Sequence, residues 1–262
     1  MKIVVCVKQV PDTNEVKIDP VKGTLIRDGV PSILNPDDQH AVEEALRIKD
    51  SNPEAHVTVI TMGPPQAKEV LLECLAMGAD RAILVSDRAF AGADTWATSE
   101  TLAGAIRRLD GYDVIFCGRQ AIDGDTAQVG PQIAERLQIP QVTYVEGFED
   151  KGSNFVVRRQ LEDGYEMVQV QKPALFTAIQ ELNEPRYASI PGIVTACREK
   201  EVEVFNVDDI EVDRKQIGLE GSPTQVKRSF TPEAKGKGVM LKGSSKEMAE
   251  QLIVNLKKKH LI

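Results

Sequence analysis

Two rhythms of apolar and polar positions divide the chain. Up to residue 140, short β-branched runs alternate with stretches whose apolar residues recur every three or four positions. The runs KIVVCV (2–7), HVTVITM (56–62), RAILVS (81–86) and DVIFCG (113–118) predict strands. The stretches AVEEALRIKD (41–50), AKEVLLECLAMG (67–78), DTWATSETLAGAIRRL (94–109) and PQIAERLQ (131–138) predict helices. Strands this continuously apolar are buried on both faces, so the alternation implies an α/β fold with a parallel sheet and helices on either side.

After Pro140 the pattern changes. QVTYVEGFED, NFVVRRQLEDGYEMVQV and ALFTAI read as adjacent strands, with turn signals at 150–153 and at Asp163-Gly164. They predict an antiparallel extension of the sheet. Between the first strand and the first helix, KIDPVKGTLIRDGV (17–30) reads as a hairpin. Beyond Glu181 charge and turn residues dominate until a final helix near 245–260, ending in Lys257, Lys258 and Lys259, which complement its dipole. A stretch of roughly 60 residues with so little apolar periodicity rarely packs alone, and it is expected to be an arm that needs a partner.

Composition narrows the function. A chain of 262 residues with 42% hydrophobic content can bury an ordinary core. Its 32 basic and 40 acidic residues leave a formal charge of −8 with no basic, aromatic-interleaved cluster, which argues against nucleic acid and anionic membrane as partners. The apolar run at the N-terminus is shorter than a signal-peptide core and no segment is long enough to span a membrane, so a cytoplasmic protein is expected. Cys6, Cys74, Cys117 and Cys197 form no CxxC pair and are expected to be reduced core residues, with no metal site. His40, His56 and His260 are scattered, and no Ser-His-Asp or Cys-His pair suggests a catalytic centre.

In open parallel sheets ligands bind beyond the carboxyl ends of the strands, which directs attention to the exit loops. The first leads to LNPDDQHAVEEAL, where Asn35 reads as a helix cap and Pro36 as the first helical residue. The second, TMGPPQA (61–67), places Gly63 where a backbone can approach a ligand. The third, RAFAGADTWATS, puts Asp94 and Thr95 at a helix start, where capping and phosphate binding explain the residues equally well. The fourth, GRQAIDGDTAQVG (118–130), exceeds the two to six residues or so of a plain connection. Asp125 and Gln128 have capping-box spacing, Pro131 argues for a helix start just after Gly130, and either way unpaired amides remain that suit a phosphate. GxGxxG, GxxxxGK[ST] and SGGxDS loops are all missing, which disfavours ordinary dehydrogenases, P-loop ATPases and ATP-cleaving ligases. Any chemistry then falls to a bound cofactor.

Taken together, CVKQVPDT, NPDDQHAVEEAL, AMGAD, GRQAIDGDTAQVGPQIAE and LNEPRYASIPGI resemble the β subunit of electron transfer flavoproteins, over residues 1–262. The resemblance implies a Rossmann-like parallel sheet of the adenine-nucleotide-binding type, with an α subunit as partner. It implies that Cys6, Asn35, Asp37, Asp38, Met62 and the loop of Asp123, Gly124, Asp125, Thr126, Gln128, Val129 and Gly130 surround a nucleotide. The phosphates would sit on the amides of 126–130. It also implies a docking segment for a partner dehydrogenase at Arg186, Tyr187, Ile190 and Pro191. Residues 1–192 would form the nucleotide-binding domain, and 193–262 the arm and helix that embrace the α subunit. NPDDQHA and AFAGADTWATS are similar to the electron-bifurcating branch of anaerobic bacteria, which implies FAD rather than structural AMP, with Asp94, Thr95 and Thr98 as added contacts. That branch passes electrons from NADH to a flavin dehydrogenase, of the acyl-CoA or 2-hydroxy-acid type, and to ferredoxin or flavodoxin. The alternatives are a non-bifurcating carrier subunit with AMP and a stand-alone nucleotide-binding regulator.

Overall fold

A computed structural model describes residues 1–12, 31–227, 236 and 238–262. The hairpin expected at 17–30 lies outside the described residues. In chain order the elements are β1 (Lys2–Cys6), β2 (Gln9–Pro11), β3 (Ser32–Leu34), α1 (Pro36–Ser51), β4 (His56–Met62), α2 (Lys68–Met77), β5 (Arg81–Val85), α3 (Thr95–Arg107) and β6 (Val114–Gly118). There follow α4 (Val129–Leu137), β7 (Gln141–Asp150), β8 (Asn154–Leu161), β9 (Gly164–Gln171), β10 (Ala174–Ala178), α5 (Ile190–Arg198), β11 (Val202–Phe205) and α6 (Ser245–Lys258). All eight strands and helices expected before residue 140 form, within a few residues of their sequence bounds.

Nine strands make one sheet in the order β11-β5-β4-β1-β6-β10-β7-β8-β9. All neighbours from β11 to β7 are parallel, and β7, β8 and β9 are antiparallel. Because side chains alternate across a strand, Ile3 and Val5 enter one core while Val4 and Cys6 enter the other. The first core is filled by α1 and α2, the second by α3 and α4, so helices cover both faces as the apolar runs required. Phe116, Phe148, Phe155 and Phe176 pack together, with ring centroids 5.1 to 5.9 Å apart, where the antiparallel strands leave the parallel ones.

Two expectations change. ALFTAI does not extend the antiparallel part: β10 inserts parallel between β6 and β7. All five of its residues are buried, the mark of an interior parallel strand. Nor is the stretch after Glu181 one free arm. The chain divides into two units, Met1–Lys227 and Arg228–Ile262, and the boundary expected after residue 192 falls inside α5. β11 adds a parallel edge strand beside β5, with Arg81 Nε and Nη2 at 2.6 and 2.7 Å from the Glu203 carboxylate. Val202, Phe205, Ile210 and Ile217 anchor this return to the core, but β11 buries only its two end residues and shows no strand alternation, which is why no periodicity announced it. In the second unit α6 opens with a capping box between Ser244 and Glu247 and ends in basic residues.

Candidate functional site

β1 and β6 are neighbours, yet the chain goes from β1 to β4 on one side and only later to β6 on the other. Such a reversal opens a crevice at the carboxyl ends of the strands. A cavity of about 920 Å³ lies there, with Cys6 and Cys117, paired in register across β1 and β6, in its wall. The neighbouring Cys6 thiol, together with burial, pushes the Cys117 thiol up, so Cys117 is protonated and inert.

The start of α1 ties the exit loops together. Asn35 does precede the helix, with Pro36 in its first turn, but its side chain makes no capping bond. Fully buried, it donates from Nδ2 to the Gln120 carbonyl (2.9 Å) and accepts at Oδ1 from the Ile122 amide (3.1 Å), fixing the fourth exit loop. Asp38 accepts from the Lys8 amide (2.8 Å) and the Gly118 amide (2.9 Å), joining the ends of β1 and β6. Burial pushes its carboxyl up to about 7, against the opposing pull of Asn35 and those two amides. Asp37 is also raised by burial, opposed by Arg119, whose Nε stands 3.3 Å from Oδ2. Lys8 Nζ reaches Asp123 Oδ1 at 2.6 Å and closes the same corner.

The fourth exit loop has the backbone of an anion site. The amides of Thr126, Ala127, Gln128, Val129 and Gly130 donate to no protein acceptor among the described residues. Asp125 and Ala127 adopt left-handed φ values of 54° and 52°. Left-handed backbone at non-glycine residues costs roughly 1–2 kcal/mol each, and alternation of this kind turns successive N–H groups toward one concavity. The capping box inferred from Asp125 and Gln128 does not form: α4 begins at Val129 without a side-chain cap, and the Asp125 carboxylate takes the Gln120 side-chain amide instead. Gly130 also has a packing role: a Cβ there would lie 2.9 Å from Thr177 Cγ2, so the glycine seats α4 on β10.

Asp94 caps α3 by accepting from the Ala97 amide (3.0 Å), and its other oxygen takes the Thr224 amide (3.0 Å) and hydroxyl (2.7 Å). Burial raises its pKa, but these bonds outweigh burial and the net shift is downward. Thr95 Oγ1 donates to Gln128 Oε1 (2.8 Å), bridging the third and fourth loops. Behind the bridge, Arg136 on α4 stacks 4.3 Å over the Trp96 ring, bonds Ser99 Oγ and the Trp96 carbonyl, and pairs with Glu100.

Of the residues singled out from sequence, Cys6, Asp38, Met62, Asp94, Thr95, Thr98, Gly124, Thr126, Gln128, Val129 and Gly130 line the cavity, whereas Asn35, Asp37, Asp123 and Asp125 do not. Phe90, Leu102, Arg119 and Gln120 line it too and were missed, Leu102 because the helical period of its stretch already explained it. At the docking segment, Tyr187 (98% exposed), Ile190 (79%) and Pro191 stand free in this chain, but Ile190 opens helix α5 rather than sitting in an irregular loop. Arg186 is instead bound within the chain, to Glu43 and Asp50. Cys197, also on α5, is exposed and not a core residue. No helix among the described residues is long and apolar enough to cross a membrane.

Comparison with known proteins agrees with this architecture. Residues 22–210 match the family model described as electron transfer flavoprotein domain. The chain is 61% identical to the electron transfer flavoprotein subunit beta of Clostridium acetobutylicum over 262 residues, all of both chains. It is 59% identical to the caffeyl-CoA reductase-Etf complex subunit CarD of Acetobacterium woodii, again over all of both chains. To the acryloyl-CoA reductase electron transfer subunit gamma of Anaerotignum propionicum it is 50% identical over the full length of each. The chain therefore belongs to the electron transfer flavoprotein family, as one of its β subunits.

Proposed function

We propose that the cavity between β1 and β6 holds an FAD, and that the chain, paired with an α subunit, passes electrons from NADH to a flavin dehydrogenase and to ferredoxin or flavodoxin. The observation that carries this is the row of unpartnered amides at 126–130 beside two left-handed residues, which fits a pyrophosphate. The cavity's size supports a dinucleotide over a mononucleotide: at about 920 Å³ it lies near the top of the roughly 300–1,000 Å³ range of small-molecule sites. Thr98, Phe90 and Leu102, on the third exit loop and the helix after it, would border the ligand as well.

When bound, the flavin would supply hydride acceptance and onward electron transfer; the chain's residues would bind and orient it. The amides of 126–130 would neutralise its phosphates, Asp38 and Asn35 would hold the loops that carry them, and Phe90 and Leu102 would exclude water. Tyr187 and Ile190 would dock the dehydrogenase. The names of the relatives from Acetobacterium woodii and Anaerotignum propionicum favour an acyl-CoA substrate for that dehydrogenase over a 2-hydroxy acid. One feature favours the AMP alternative: Asp94 and Thr95 are already satisfied by Thr224, Ala97 and Gln128, so the third loop makes no demand for a ligand. Nucleotide released from the co-expressed αβ complex decides between them. Two FAD per heterodimer, with NADH-driven ferredoxin reduction in the presence of the dehydrogenase and its acceptor, is the expected result; one FAD plus one AMP would overturn it.

A further inference from the structure

Resting on the docking role proposed for Tyr187 and Ile190, we infer that Arg186 is a positioning residue that fixes the docking helix α5 through buried Glu43, and is not itself a contact for the dehydrogenase. The Glu43 carboxylate accepts three bonds from this one residue: from the Arg186 backbone amide (3.0 Å), from Nε (2.8 Å) and from Nη2 (2.9 Å). Nη2 also reaches Asp50 Oδ2 at 2.7 Å. A guanidinium held in this planar fork has its direction set as well as its charge, which an ammonium cannot reproduce. Glu43, then Asp50, hold it firmly in its charged form.

The neighbouring contacts point the same way. Asn183 donates to the His40 carbonyl (3.0 Å) and to Glu44 Oε2 (3.0 Å), so the segment before Arg186 is stitched along one side of α1. Beyond it, Ser189 caps α5 by accepting from the Gly192 amide (3.1 Å). A Cβ on Gly192 would stand 2.3 Å from the Ala76 carbonyl oxygen, so α5 is seated directly on the end of α2. Between these two anchorages the chain displays Tyr187 and Ile190 with their side chains almost wholly in solvent. Exposed apolar groups dock well only if their geometry is set before the partner arrives, since ordering them on binding costs affinity. Arg186 and Glu43 set it here.

Glu43 is buried within this chain, which makes it the discriminating position. In the αβ complex, Glu43→Gln and Arg186→Lys should each raise the KM for a flavin-containing acyl-CoA dehydrogenase about 5- to 20-fold. The kcat at saturating dehydrogenase, the nucleotide content and NADH reduction of the flavins should not change. In an Ile190→Ala background the Glu43→Gln effect should vanish, because there is no anchor left to aim. Asp50→Asn, which spares the Glu43 pair, should give a smaller shift in the same direction and serves if Glu43→Gln does not assemble. A raised KM for Arg186→Lys with none for Glu43→Gln or Asp50→Asn would make Arg186 a direct contact and overturn the inference, as would an unchanged KM in all three. If Ile190→Ala itself costs nothing, the docking reading falls and the positioning role with it; loss in Ile190→Ala alone overturns only the positioning role.

Discussion

Asp38 gives the α1 anchor a pH dependence. Its carboxyl moves from an ordinary value of 3.8 to about 7 on folding because burial disfavours the charged form more than the Lys8 and Gly118 amides favour it. A carboxylate raised in this sense costs stability as pH climbs: the cost is absent below the unfolded pKa, grows between about pH 4 and 7, and is level above. At about 1.4 kcal/mol per pKa unit, the cost is roughly 1–2 kcal/mol at pH 5 and about 4 kcal/mol at pH 8. Asp38→Asn cannot titrate, but it replaces one of the two acceptor oxygens with an NH2 group, leaving the Lys8 or the Gly118 amide unpaired at a cost of about 1–3 kcal/mol. The variant should therefore lie within about 1 kcal/mol of the parent at pH 5 and be about 1–3 kcal/mol more stable at pH 8, with the difference moving by about 3 kcal/mol in between. Urea unfolding of the αβ complex at fixed concentration, parent against variant across this range, reads the difference directly because contributions from the α subunit cancel. A difference that stays flat with pH would refute the buried-charge reasoning, and one that moves the opposite way would mean that Asp38 is stabilised as a carboxylate.

Three further outcomes follow from the exit loops. Ala127→Pro deletes one of the unpartnered amides and cannot adopt a φ of 52°, so the complex should lose its β-subunit nucleotide while circular dichroism is unchanged; full nucleotide content would end the phosphate assignment. Gly130→Val should lower stability by about 1–3 kcal/mol through overlap with Thr177, and an unchanged unfolding midpoint would show that the site has slack. Thr98→Ala, which disturbs neither the Asp94 cap nor the Thr95 bridge, should weaken FAD retention about 3- to 10-fold; retention equal to the parent's would remove Thr98 from the contacts.

What could be read in advance depended on how local the physics is. β1, β4, β5 and β6 are continuous apolar runs and α1 to α4 carry a clear helical period, so neighbouring residues contain enough information to place them. The length and helix-start chemistry of 118–130 marked the fourth loop for the same reason. The roles inside it were not local. Asn35 looked like a helix cap, but its partners Gln120 and Ile122, like the Gly118 amide bound to Asp38, stand 80 to 87 positions away, across strands whose order no short window specifies. The close packing of Gly130 on Thr177, 47 positions later in the chain, could not be read locally either. β11 was missed because a four-residue edge strand takes its stability from β5, not from its own pattern. The resemblance implied a docking contact at Arg186, and the residue that binds it, Glu43, lies 143 residues earlier, beyond any local reading.

These long-range bonds converge on α1. Its first turn carries Asn35 and Asp38, which hold the loops around the cavity, and its side carries Glu43, Glu44 and Asp50, which hold the segment leading into α5. Buried, hydrogen-bonded carboxylates along one helix leave little freedom for the two regions to shift independently, because each shift would strand a buried acceptor at a cost of several kcal/mol. A cofactor in the cavity and a dehydrogenase on Tyr187 and Ile190 would then keep a nearly fixed separation within residues 31–227. If electrons are to be released at one step and withheld at another, the distance that changes has to lie on the partner's side of the complex. A cross-link between positions on α1 and α5 should accordingly leave NADH-driven reduction of the dehydrogenase intact. Loss of that activity in a cross-linked complex that retains its flavins would show that α5 has to move.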